Sequence, residues 1–163
     1  MSMSAGPPPF QVFLDSERDC VWRFLLSAVG PAEADDCFQE TFIAALRAYP
    51  RLRPDSNLRS WVLTIAHRKA LDAHRGRARR AIPAAEVFEL AGPDTAAAPS
   101  KDDGDELWQA VRELPPRQRS AVALRFIADL PHRDIAAAIG CSEEAARRSL
   151  HEGLGRLRKE LAA

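Results

Sequence analysis

Two clusters of cationic side chains carry the strongest chemical signal in this chain. His67, Arg68, Lys69, His74, Arg75, Arg77, Arg79 and Arg80 crowd one stretch, and Arg147 and Arg148 stand beside Glu144 and His151 near the C-terminus. Guanidinium groups neutralise phosphate and bridge guanine O6 and N7, so both clusters suit nucleic acid, although a charge run is also what a solvated helix face looks like. A third set, Asp36, Gln39 and Glu40, shares one helical face by its spacing. Carboxylates there would repel DNA, which leaves water or a protein partner to cover them. Catalysis finds no comparable support. The four histidines form no HExxH or other metal-spaced cluster, and no phosphate-cradling glycine loop or nucleophile motif appears. Cys20, Cys37 and Cys141 are odd in number, far apart and without a CxxC pair, so neither a disulfide framework nor a zinc site is predicted. No catalytic residue, metal or cofactor is therefore expected.

The elements that must position these residues are helices. The chain is rich in Ala, Leu and Arg, which lose little on entering a helix, and no period-two strand pattern occurs. A first helix is predicted from about Phe10, with Val21, Phe24, Leu25 and Ala28 recurring at the helical period until Gly30-Pro31. A second places Ala34, Cys37, Phe38, Thr41, Phe42 and Ala45 on one face and stops before Pro50. The segment from Pro50 to Asn57 reads as a loop, with Asp55 or Ser56 to cap a long third helix striped by Leu58, Val62, Ala66, Ala70 and Ala73. Trp61, near the junction of loop and basic helix, reads first as a core residue and otherwise as a stacking platform for a base. Residues 81–104 lack sustained periodicity and contain prolines, alanines and an acidic cluster, the composition of a flexible linker.

Beyond the linker, short helices are predicted around Leu107 to Leu114, Arg117 to Ile127 and His132 to Ile139, followed by a longer one keeping Ala146, Leu150, Leu154, Leu157 and Leu161 inward. Helix, Gly140 turn and helix make a helix-turn-helix, with Ala136 and Ala137 small where helices cross and Ser142 as cap. Inward Ala146 and Leu150 turn Glu144, Arg147, Arg148 and His151 outward at the end of the helix that enters a major groove. The prediction is an all-α fold of two small helical domains, at 10–80 and 105–163, joined by a flexible linker at 81–104, with a disordered tail at 1–9. The 163 residues carry 23 basic and 23 acidic groups, so basic patches must be offset by acidic surface. Met1 to Pro9 lacks the pattern of a signal peptide, no stretch approaches a membrane span, and unpaired thiols suit a cytoplasmic location without membrane insertion.

Together these segments resemble the sigma-70 family, specifically the compact extracytoplasmic-function (ECF) sigma factors. Asp35-Asp36-Cys-Phe-Gln39-Glu40-Thr-Phe42 is similar to that family's polymerase-binding helix. The stretch from Leu58-Arg-Ser-Trp61 through Ala66-His-Arg-Lys-Ala70 to Arg75 resembles its minus-ten segment, and Leu114-Pro-Pro-Arg117-Gln-Arg119 leading into Asp134-Ile135-Ala136 and Gly140 resembles its minus-thirty-five domain. The resemblance implies that Asp36, Gln39 and Glu40 meet the beta-prime clamp of core RNA polymerase. It implies that Arg59, Trp61, His67, Arg68, Arg75 and Arg77 serve minus-ten binding and opening. It implies that Glu144, Arg147, Arg148 and His151 read the minus-thirty-five element of promoter DNA. The beta flap and an anti-sigma factor are the further partners it admits, and the linker would thread toward the polymerase cleft. Such proteins are not enzymes, since the polymerase does the chemistry. The chain departs from the family in carrying Ala145-Ala146 where Thr-Val is common, and Pro131 where a small polar residue is usual. The competing reading is a stand-alone helix-turn-helix transcriptional regulator, which would bind operators as a dimer and need no acidic partner face.

Overall fold

The computed structural model describes residues 6–81 and 103–162. Seven α-helices and one short 3-10 turn account for the described elements: α1 (Phe10–Val29), α2 (Pro31–Ala48), the 3-10 turn Tyr49–Arg51, α3 (Leu58–Ala81), α4 (Asp103–Glu113), α5 (Pro116–Phe126), α6 (His132–Ile139) and α7 (Glu143–Ala162). No strand occurs among the described residues, as the composition predicts. The linker expected at 81–104 lies almost wholly outside the described residues. Its margins belong to helices, because α3 runs to Ala81 and α4 starts at Asp103.

Helices α1 to α3 form the first unit. Gly30 ends α1 with φ +79°, a left-handed conformation costly for any side chain, and its N–H donates to Leu26 O at 3.0 Å. Pro31 then opens α2, where its missing N–H would have had no helical partner. The predicted inner faces are in place: Val21, Phe24, Leu25, Ala28, Ala34, Phe42, Ala45, Val62, Ala66 and Ala70 are all buried. Each large apolar side chain so covered contributes about 1.5–3 kcal/mol. The cap of α3 is a correction. Asn57, rather than Asp55 or Ser56, accepts the N–H of Ser60 at 3.1 Å.

An aromatic cluster closes one end of this unit. Phe13 lies 5.4 Å from Tyr49, 5.7 Å from Trp61 and 6.3 Å from Phe42 between ring centroids. The Tyr49 hydroxyl donates to Pro8 O, so the expected tail at 1–9 is tethered at Pro8. Its first five residues lie outside the described chain.

Helices α4 to α7 form the second unit. Leu114-Pro115 separates α4 from α5, which starts at Pro116, one residue ahead of the predicted start. Gly140 turns the chain with φ +73°, and the N–H groups of Gly140 and Cys141 both return to Ala136 O, at 2.9 and 3.0 Å. Ser142 caps α7 as predicted, its Oγ accepting from Ala145 N–H at 3.1 Å. Two inward assignments are corrected. Ala138 is buried beside Ala136 whereas Ala137 faces solvent, and Leu161, past the last packed turn, is half exposed.

The two units share one hydrophobic core. Helix α1 packs on α4 and α5, and α6 lies against both α3 and α7. The described helices therefore stand in one packed arrangement rather than as two separate bodies.

Candidate functional site

On α2, Asp36, Gln39 and Glu40 all face solvent, while Cys37, Thr41 and Phe42 are turned into the core. The same outer stripe continues through Ile43 and Leu46, which are 50% and 54% exposed. An acidic helix face running into bare aliphatic groups suits a protein partner, since such groups gain by being covered. Spacing alone could have found Ile43, one heptad beyond Asp36.

The α3 cluster divides on inspection. Arg68 and Arg75 are exposed, and Arg75 has only a distant 4.0 Å contact with Asp72 on the same helix. Arg77 instead folds back: its Nε donates to Glu33 Oε1 at 2.8 Å and its Nη2 to Val29 O at 3.3 Å, so it ties α3 to the α1–α2 junction. Arg59 is held at the start of α3 by Glu17, at 2.9 Å. Trp61 is half-buried among Phe13 and Tyr49, the core position that its spacing first suggests.

His67 departs from expectation. It is buried under α5, with Ser120 Oγ 3.3 Å from its Nδ1, so in this arrangement it is not offered to DNA. Burial, with Arg68 adjacent, pushes its pKa down to about 4. His74 is likewise lowered, first by burial and also by Arg119 and Arg77, against the opposing pull of the Ala28 carbonyl and Glu33.

On α7, Glu144, Arg147, Arg148 and His151 are all exposed, as helical phase predicts. Arg147 donates to Glu143 Oε1 at 2.9 Å and Arg148 stands 3.9 Å from Glu144. Each guanidinium is thus held along the helix by a carboxylate one turn back, an exposed pairing worth only about 0.3–0.5 kcal/mol and easily exchanged for phosphate or a base edge. Among the described residues no group of His, Cys, Asp and Glu could hold a metal ion, and no helix is long and apolar enough to cross a membrane.

Sequence reasoning missed three positions that organise these surfaces. Glu17 and Glu33 steady the cations, and Arg119 joins the two units. None was legible from spacing, because each acts across a large sequence separation.

Family models agree with this division. Residues 13–80 match Sigma-70 region 2, and residues 104–157 match Sigma-70, region 4. The chain is 34% identical over 161 residues to the ECF RNA polymerase sigma factor SigD of Mycobacterium tuberculosis, covering 92% of this chain and 76% of that protein. It is 33% identical over 133 residues to the RNA polymerase sigma factor CarQ of Myxococcus xanthus, covering 80% and 75%. In fold it is similar to the sigma factor RpoE of Bartonella quintana, solved with the anti-sigma factor NepR, with TM-score 0.76 and 22% identity over 94% of this chain and 97% of that one. It is also similar to CnrH, solved with the cytosolic domain of CnrY, with TM-score 0.69 and 22% identity over 94% and 87%.

Proposed function

The chain belongs to the ECF sigma factors of the sigma-70 family, and from that premise we propose how its surfaces divide the work of transcription initiation. Its function is that of an RNA polymerase sigma factor, which directs the core enzyme to promoters. The first unit, α1 to α3, docks on the beta-prime clamp through Asp36, Gln39 and Glu40, with Ile43 and Leu46 as the apolar part of the contact. Arg59 and Trp61 flank the loop that reads the minus-ten element, and Arg68 and Arg75 hold the phosphate backbone behind it. The second unit meets the beta flap and reads the minus-thirty-five element through Glu144, Arg147, Arg148 and His151. Residues 82–102 connect the two along the polymerase. The chain does no chemistry itself, works in the cytoplasm beside the polymerase, and has an anti-sigma factor as a further partner, as the sigma factor RpoE, similar to it in fold, does.

The observation that supports this division best is one chain exposing an acidic, aliphatic-edged face on α2 and basic faces on α3 and α7. Zero net charge follows, because one protein presents both kinds of surface. A stand-alone regulator has no use for the α2 face. Replacing Asp36 and Glu40 together by Arg should abolish co-purification with core polymerase. Stability should shift by no more than about 0.5 kcal/mol per site, as at other exposed positions. Undiminished co-purification of the folded double variant would refute the clamp assignment.

A further inference from the structure

The loop between α2 and α3 carries its own turns. Leu52 N–H returns to Tyr49 O and Ser56 N–H to Arg53 O, both at 3.1 Å. Pro54 stands at the second position of the latter turn, where its fixed φ suits the geometry. Arg53, Pro54 and Asp55 at the tip are exposed. At the far end Asn57 caps α3, and Trp61 N–H donates to Asn57 O at 3.0 Å. The near end hangs on Tyr49. Its ring stacks on Phe13 at 5.4 Å, meets Phe10 edge-on at 5.3 Å and lies 6.1 Å from Trp61. One side chain at the root of the loop thus touches both α1 and α3.

The Tyr49 hydroxyl reaches beyond this cluster and donates to Pro8 O. Pro8 belongs to the run Pro7-Pro8-Pro9 ahead of α1, of which Pro7 and Pro8 are half-buried. Consecutive pyrrolidine rings fix φ and leave the chain extended with few alternatives. Pro9, with φ −52° and ψ 143°, has that conformation. Its carbonyl accepts the N–H groups of Val12 and Phe13, at 2.9 and 3.1 Å, which fastens the run to the first turn of α1. A stiff segment anchored on α1 therefore presents Pro8 O to Tyr49. A phenylalanine would make the same ring contacts, so what the hydroxyl adds is this one tether. All of these contacts lie within the first unit. A loop already held in shape captures an unpaired base at less ordering cost than one that must find its shape on binding.

We propose that Tyr49 is a positioning residue for minus-ten recognition, and that residues 6–9 are a strap that locks it, through Pro8 O, at the root of the base-reading loop. The inference rests on the sigma-factor function and gives the proline run a part in promoter opening. Tyr49→Phe keeps the ring and removes only the hydroxyl, whereas deletion of residues 2–8 removes the acceptor and leaves Pro9 to start α1. Holoenzymes carrying each form would be compared on a promoter that the wild-type holoenzyme selects from a random library. Three quantities are read: affinity for core polymerase, affinity of holoenzyme for a single strand bearing the minus-ten element, and the rate of strand separation, followed by a fluorescent base analogue. Each variant should lose about three- to tenfold in strand affinity and opening rate, the equivalent of one net hydrogen bond. Core affinity and helicity by circular dichroism should be unchanged. The combined variant should lose no more than either alone, because both changes break the same bond. Tyr49→Phe is the milder change and decides the matter if the deletion loses helicity. Wild-type strand affinity in the folded variants, additive losses, or a matching fall in core affinity would overturn the proposal. A wild-type holoenzyme that captures no strand and opens no promoter would overturn it together with the sigma-factor function.

Discussion

Arginines that look alike in the sequence have different work in the fold. Arg75 and Arg77 are two residues apart on α3, yet one extends into solvent and the other returns to Glu33 and Val29 O. Arg75→Ala should therefore weaken all promoters alike and lower the salt dependence of holoenzyme binding by about one phosphate contact. It should leave stability within about 0.5 kcal/mol. Arg77→Ala should cost about 1 kcal/mol in urea unfolding, the combined value of a half-exposed pair and a carbonyl bond. Equal stability of the two variants would show that the Glu33 pair holds nothing together. The basic run was legible in the sequence as a run. Which of its members remain free was not, because Glu33 stands more than forty residues away.

Helix α7 carries its reading face and its packing face on one cylinder, and two of its glycines separate the two demands. A Cβ at Gly153 would come within 3.0 Å of Val122 Cγ2 and 3.4 Å of Gln118 Cβ, so α5 sits against the bare backbone there. Gly155 has nothing within 4 Å of the same position. Gly155→Ala should raise the unfolding free energy by about 0.5–1 kcal/mol, the helix-propensity difference. Gly153→Ala should lose that gain, or fall below zero, to the displaced Val122. Thermal unfolding of both variants measures this, and equal stabilisation would mean that α5 yields freely. The period of Ala146, Leu150 and Leu157 was enough to orient α7 from the sequence. The neighbour's approach at Gly153 was not, because a glycine carries no mark of what faces it.

At the scale of the whole molecule the closed packing of the two units, a seam where Ser120 on α5 covers His67 and Arg119 reaches Ala28 O, couples arrangement to protonation. His67 is held neutral in the closed form, its pKa pushed down to about 4 by burial and Arg68, whereas a freely exposed imidazole titrates near 6.5. Opening therefore takes up a proton below about pH 6.5, and linkage makes the closed form lose ground as pH falls from there toward 4. Above that window His67 leaves the balance unchanged. His74 acts with the same sign, since burial, Arg119 and Arg77 all oppose its protonation while Ala28 O and Glu33 only partly favour it. Scattering between pH 7.5 and 5 should show expansion on acidification, and His67→Asn should lose most of it. Compaction on acidification, or an equal response in the variant, would contradict the linkage.

The sequence by itself determined the helical class, the starts and stops of most helices, the helix-turn-helix and the outward sets on α2 and α7. These are local properties: period, proline and glycine breaks, and phase along one helix suffice to state them. It also carried the three motif segments whose order identifies the family. Only the tertiary structure decided that Asn57 caps α3, that Trp61 completes an aromatic cluster with Phe13 and Tyr49, and that Arg77 is paired. Above all, only the tertiary structure set His67 and Arg119 in a buried seam, against partners 53 and 91 residues away. A single helix turn dictates which side a residue faces. What waits on that side depends on how distant helices share a core, and no spacing within one helix encodes it.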